Sequence, residues 1–186
     1  MVIFRSIKIN IMVKNALILL SLILITSCGS YNSIDTFYNA HKDESQVKAV
    51  RVPRFMFTLL SGISPEVNSL IGKTKDLRYM EFPSTTKDRT TYLNEQMNGI
   101  TGNSFIEVYR KNDDQKRTII SIRERGDVVK EILVYNNNAI KGSFLYFNGN
   151  FDPIQVREMV KNRDFDKLGD GLIHQFSSTA TPGILQ

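Results

Sequence analysis

Three kinds of side chain in this 186-residue sequence have the chemistry to make or break bonds: one cysteine, Cys28; two histidines, His41 and His174; and 19 carboxylates. A Ser-His-Asp relay needs a histidine as its general base. His41 falls on the apolar face of a helical pattern and His174 in an aperiodic polar stretch, so both read as structural or solvent-facing. Zinc takes three or four Cys, His or carboxylate ligands at suitable spacing, and these residues are not so grouped. In "RDFDKLGDG", a calcium loop counted from Asp166 has Leu168 where an oxygen is needed and Ser177 where a bidentate acid is needed. Gly169 and Gly171 lack the strand, the further glycine and the lysine of a phosphate loop. No catalytic, metal-binding or cofactor-binding residue is assigned. Paired carboxylates need not be adjacent in sequence, so a hydrolase using scattered acids stays open as the alternative function.

Cys28 is different because of what precedes it. Residues 16–25, "ALILLSLILI", form a ten-residue apolar run, whereas a helix crossing a bilayer needs about 20. The run follows Arg5, Lys8 and Lys14 with no acid and ends in small polar residues, the order of a secretory signal. Its last residues, Ile25-Thr26-Ser27-Cys28, resemble the lipobox of bacterial lipoproteins. Small side chains let the backbone enter a protease cleft, and the thiolate is the nucleophile that takes a diacylglyceryl group. The expectation is a signal peptide over 1–27, lipid attachment at Cys28 and a membrane anchored through that lipid. A chain starting at Met12 also has a signal of ordinary proportions, so the start is open between Met1 and Met12. Surface-exported lipoproteins carry acids close behind the cysteine. Here the first acid is Asp35, which points to an outer-membrane lipoprotein facing the periplasm.

Removing the leader changes the charge reading. The whole chain has 24 Lys and Arg against 19 Asp and Glu; without the three leader cations the excess drops to +2. The basicity that hints at nucleic acid therefore sits largely in a removed segment, and no nucleic-acid partner is expected. The remaining 159 residues suit one domain. With Cys28 acylated, the fold has no disulfide to rely on.

The elements follow from periodicity and end signals. Residues 28–33 read as a tether, 34–162 as a single domain and 163–186 as a loose tail. Ile34, Phe37, Tyr38 and His41 share one helical face. "VKAVRVP" reads as a strand, "RFMFTLLSG" as a short helix, and "SPEV" as a helix start with Ser64 capping and Pro65 first. "DLRYMEF" is a strand, and a polar helix follows with Thr85 and Asp88 at capping-box spacing and Gly99 as its stop. Four strands then come in succession, "SFIEVYRK", "KRTIISIRE", "VVKEILVY" and "IKGSFLYFN", separated by turn-formers, which is a meander. "DPIQVREMV" closes the domain as a helix capped by Asp152, with Gln155 reaching back. The fold class is α+β: a mainly antiparallel sheet with a C-terminal four-strand meander and helices packed on one face.

This order, from the lipobox through "VKAVRVPRFMFTLL" and "DLRYMEF" to "IEVYRKNDDQKRTIISIRERGDVVKEILVYNNNAIKGSFLYFNGNFDPIQVREMV", resembles the domain-of-unknown-function family 4252 of Gram-negative envelope lipoproteins, over about Ile34 to Asn162. The resemblance implies an envelope location and a lipid on Cys28, and no activity. The expected function is a lipid-anchored cell-envelope protein serving as a non-enzymatic binding or structural module. Arg110-Lys111 and Lys116-Arg117 flank a hairpin tip and read as solvated; contact with membrane phosphates is the alternative, weakened by Asp113 and Asp114. In "SFLYFN", Phe144 and Tyr146 oppose Leu145 and Phe147 across the strand. Helices on one side would leave the other apolar face to a partner protein or a second copy; the alternative is that the chain covers both.

Overall fold

The structure is a computed structural model and describes residues 33–57, 65–83, 86–102, 104–113, 116–138, 140–165 and 168. Cys28, His174, Ser64, the leader and the end of the chain lie outside them. The elements are α1 (Ile34–His41), β1 (Lys48–Arg51), a 3-10 turn (Arg54–Met56), α2 (Pro65–Lys73), β2 (Thr74–Pro83), α3 (Lys87–Thr101), β3 (Ile106–Asp113), β4 (Lys116–Arg125), β5 (Val128–Asn138), β6 (Lys141–Phe151) and α4 (Pro153–Lys161). None of these helices is long and apolar enough to cross a membrane.

Local chemistry sets the helix ends. The Thr36 amide donates to Ser33 Oγ at 3.1 Å, which starts α1 five residues after Cys28. Thr86 caps α3 by accepting from the Arg89 amide at 3.1 Å, one residue later than the expected Thr85. Gly99 does not stop α3, because Ile100 and Thr101 beyond it are buried and their packing outweighs the glycine's cost. Asp152 caps α4 by accepting from the amides of Ile154 and Gln155 at 2.8 and 3.1 Å. Gln155 itself does not reach back; its side-chain amide donates to the Glu66 carbonyl on α2 at 3.4 Å.

The six strands form one antiparallel sheet in the order β1-β2-β6-β5-β4-β3. The meander β3 to β6 is as expected from the sequence. Its last strand pairs with β2, Leu77 opposite Phe147 and Tyr79 opposite Leu145, which puts β2, β6 and β5 in the interior of the sheet. The fold class α+β holds, but the expectation of helices packed on one face does not. Leu145 and Phe147 of β6, Ile132 and Val134 of β5 and Leu77 of β2 pack with Val67, Leu70 and Ile71 of α2 and Val156 and Met159 of α4. On the other face, Phe144, Tyr146, Leu133, Tyr135 and Met80 pack with Phe37 and Tyr38 of α1 and Leu93, Met97 and Ile100 of α3. The physical reason is the two-sided apolar pattern itself: a strand with large apolar groups on both faces needs cover on both. The helix-free sheet face proposed for a partner or second copy is therefore not present over these strands.

The packed region also runs past Asn162. Phe165 and Leu168, placed in the expected loose tail, are almost wholly buried in the α2–α4 core, and Phe165 lies 6.2 Å from Phe147 between ring centroids. Two apolar side chains three residues apart are enough to bring the segment down onto the sheet.

Two glycines are fixed by geometry. Gly126 has φ +62° in the β4–β5 turn, a conformation that side chains rarely adopt, so Arg125-Gly126-Asp127 forms the turn between the two strands. Gly149 is a close approach: a Cβ there would lie 2.3 Å from the Lys73 carbonyl oxygen and 2.6 Å from the Phe151 ring. Gly149→Ala should lower stability by about 1–3 kcal/mol, the usual cost of overpacking. Phe37→Ala, which empties a fully buried ring site between α1 and the sheet, should cost about 3–5 kcal/mol. Urea denaturation of both variants measures these losses.

Candidate functional site

The ionisable groups gather in two clusters under α1. The larger is centred on Arg78 of β2, which shares a face with Met80 and whose side chain is only 10% exposed. Its Nη1 donates to Asp35 Oδ1 of α1 at 2.6 Å, and its Nη2 lies 2.7 Å from Asp76 Oδ2. The guanidinium carbon stands 5.4 Å from the Tyr38 ring centroid and 5.5 Å from that of Tyr146. Asp76 also accepts from Arg51 Nε of β1 at 2.7 Å. Tyr146 donates its hydroxyl to Glu131 Oε2 at 3.0 Å, and Glu131 accepts from Arg123 Nη1 at 2.8 Å. Arg123 lies over the Phe105 ring at 4.4 Å. Three arginines and three carboxylates thus balance along one face.

The electrostatics of this cluster follow from its partners. Burial works against the charge on Arg78, but hydrogen bonds and the charges of Asp76 and Asp35 outweigh it, and its pKa is raised. Burial, then the Glu131 carboxylate, pushes the Tyr146 hydroxyl up, so it stays a proton donor at neutral pH. Asp35, Asp76 and Glu131 each accept from arginine. Burial likewise raises Tyr135, whose hydroxyl donates to Asn94 Oδ1 at 2.9 Å.

The second cluster surrounds His41, which is 1% exposed. Its Nδ1 lies 2.6 Å from Glu44 Oε1 and its Nε2 lies 2.7 Å from Gln96 Oε1 of α3. Arg89 of α3 donates to the other Glu44 oxygen. The imidazole ring packs 4.7 Å from Phe37, centroid to centroid. This arrangement ties α1 to α3 within packed aromatic surroundings.

Three of the four hairpin cations are committed as well. Arg110 is bonded to Glu107, Lys111 Nζ is 3.0 Å from Asp113 Oδ2, and Arg117 donates to Asn98 of α3. Among the described residues, no group of three or more His, Cys, Asp or Glu is placed to hold a metal ion. Cys28 and His174 lie outside those residues.

A cavity of about 610 Å³ opens where the 3-10 turn meets the end of α2 and the start of β2. Its lining includes Arg54, Lys73 and Lys75, together with Ile71, Thr74 and Asn150. Sequence reasoning did not single out these cations. Arg54 follows a proline, and Lys73 and Lys75 sit at a helix–strand junction, so no spacing joins them; only the fold does.

Two measurements test this description. Asp76→Asn should destabilise by about 1.5–3 kcal/mol, the range for a hydrogen bond to a charged group, because Arg78 loses its buried partner; urea denaturation reads the loss. In the alkaline range the sign follows from the tyrosines. Their folded-state pKa values lie above the ordinary value of 10.0, so the unfolded chain gives up protons first and stability falls as pH rises through about 10. Tyr135→Phe together with Tyr146→Phe should flatten that fall.

The comparisons with known proteins add one match. No curated protein and no solved structure matches the chain. The family model of the domain of unknown function DUF4252 matches residues 38–159, which runs from within α1 almost to the end of α4 and takes in every strand of the sheet. The chain belongs to the DUF4252 family.

Proposed function

We propose that this protein is a lipid-anchored component of the cell envelope, attached through Cys28, whose folded domain acts as a binding or structural module and not as an enzyme. The observation that carries the proposal is the ten-residue apolar run that ends in Ile25-Thr26-Ser27-Cys28. A second feature supports it: the first helix among the described residues is capped by Ser33, five residues after Cys28, a separation that suits a tether. The non-enzymatic part is supported by the network around Arg78. The carboxylates it gathers serve as partners for arginine and hold α1 to the sheet. The neutral segment after Cys28 supports an outer-membrane position facing the periplasm.

The test begins with the N-terminus. Mass spectrometry of protein purified from membranes should show a chain beginning at Cys28 with acyl mass on it, and Cys28→Ser should leave the membrane fraction or remain as unprocessed precursor. One acyl chain gives only marginal membrane binding, whereas two or more anchor stably, so extraction should need detergent and not salt. Unmodified Cys28 in the membrane fraction would overturn the anchor. Protease added to intact cells should leave the protein whole; its digestion there, with a periplasmic control spared, would reverse the assigned side.

A further inference from the structure

The cavity lined by Arg54, Lys73 and Lys75 belongs to a larger surface. Lys130 of β5 joins it through Asn150, with Nζ 2.5 Å from the Asn150 side-chain oxygen. Among the described residues none of these four cations forms an ion pair. The neighbouring acids are already engaged: Asp76 by Arg51 and Arg78, and Asp152 by the amides that start α4. Glu66 at the start of α2 is the exception. Two large apolar side chains project beside the cations. Phe55, next to Arg54, is 77% exposed; Ile154, next to the Gln155 that accepts from Lys73, is 72% exposed.

Uncompensated cations beside exposed large apolar side chains are the composition of a surface that seats at the head-group level of a bilayer. Its place in the fold agrees. Asp35, in the first turn of α1, is bonded to Arg78, and Arg78 to Asp76, the neighbour of Lys75. The start of α1 therefore sits at the end of the sheet that carries the cations. Ser33 is five residues from Cys28, and five extended residues reach at most about 18 Å.

We propose that Arg54, Lys73, Lys75 and Lys130, with Phe55 and Ile154, form an interfacial docking surface for the phosphate head groups of an anionic membrane. It deepens the lipid-anchor reading and rests on it: the anchor brings the domain to the bilayer, and this surface fixes which end faces it.

The experiment uses the full-length chain purified from envelope membranes and transferred to vesicles of phosphatidylcholine alone or of phosphatidylcholine with phosphatidylglycerol. Hydrogen exchange of the amides over residues 54–57 and 73–75 should slow on the phosphatidylglycerol vesicles and not on the neutral ones. The protection factor should fall about fivefold for each cation removed in Lys73→Gln and Lys75→Gln, and fall again in Phe55→Ser, with thermal midpoints near that of the unaltered chain. Attachment to neutral vesicles reports the anchor by itself. Attachment to both vesicle types with no change in exchange overturns the docking surface and leaves the anchor standing. Binding with protection on anionic vesicles alone supports the docking surface and counts against the anchor; attachment to neither overturns both. Equal protection by inorganic phosphate without vesicles would make the cavity a site for a soluble anion and overturn the membrane assignment.

Discussion

The adjacent interior strands β5 and β6 are apolar on both faces, and the rest of the architecture answers to that fact. Phe144 and Leu145, adjacent in sequence, are both nearly inaccessible, one against α1 and the other in the α2–α4 core. Burying an aromatic or leucine side chain contributes about 1.5–3 kcal/mol, and a sheet left bare on one side would forfeit that gain at every second position. Among the described residues four short helices supply the cover, two on each face. At 8 to 15 residues they are near or below the length at which an isolated helix persists in water, so their stability comes from the sheet they cover.

Cover by so short a helix as α1 needs fixing. Ile34, Phe37 and Tyr38 provide the apolar contact, and two polar ties set its position: Asp35 to Arg78 at its beginning, and His41 to Gln96 and Glu44 at its end. Because α1 is the first capped element after Cys28, any pull on a tether attached there would reach the domain through these ties. A buried arginine is costly unless its hydrogen bonds are made. Tyr38, Tyr146, Asp76 and Asp35 together surround Arg78, which explains why so much of the polar interior is concentrated at one helix start.

The elements were legible in the sequence, and their arrangement was only partly so. Hairpins of the meander follow from alternation and turn-formers, which are local signals. Two-sided burial was equally written in "SFLYFN" and "KEILVY", but which helix covers which face depends on the pairing of β2 with β6, whose strands lie about sixty residues apart. Phe165 and Leu168 were passed over because two apolar residues make no period. Gly99 misled for a related reason: a local stop signal lost to the tertiary burial of Ile100. The cations at 54, 73, 75 and 130 share no spacing at all, whereas the paired clusters at the hairpin tip were conspicuous in sequence, and in the fold the first of them, Arg110-Lys111, is paired with Glu107 and Asp113.

The same architecture narrows where a partner can be met. Both faces of the interior strands are covered, so they offer no apolar surface. The edges are guarded differently. β1 is only four residues long, and β3 carries a bulge between Glu107 and Tyr109 and a row of charged residues, both of which discourage addition of a further strand. What the described residues leave open is the rim where helices meet strand ends. In places that rim matches its charges in pairs, as Arg51 with Asp76 and Arg123 with Glu131 show. The junction of the 3-10 turn, α2 and β2 differs from those places, because Arg54, Lys73 and Lys75 are exposed and none of them is ion-paired among the described residues. The positive charge at this junction lies at the end of the sheet where α1 begins, and among the described residues that end is the part of the fold closest along the chain to Cys28.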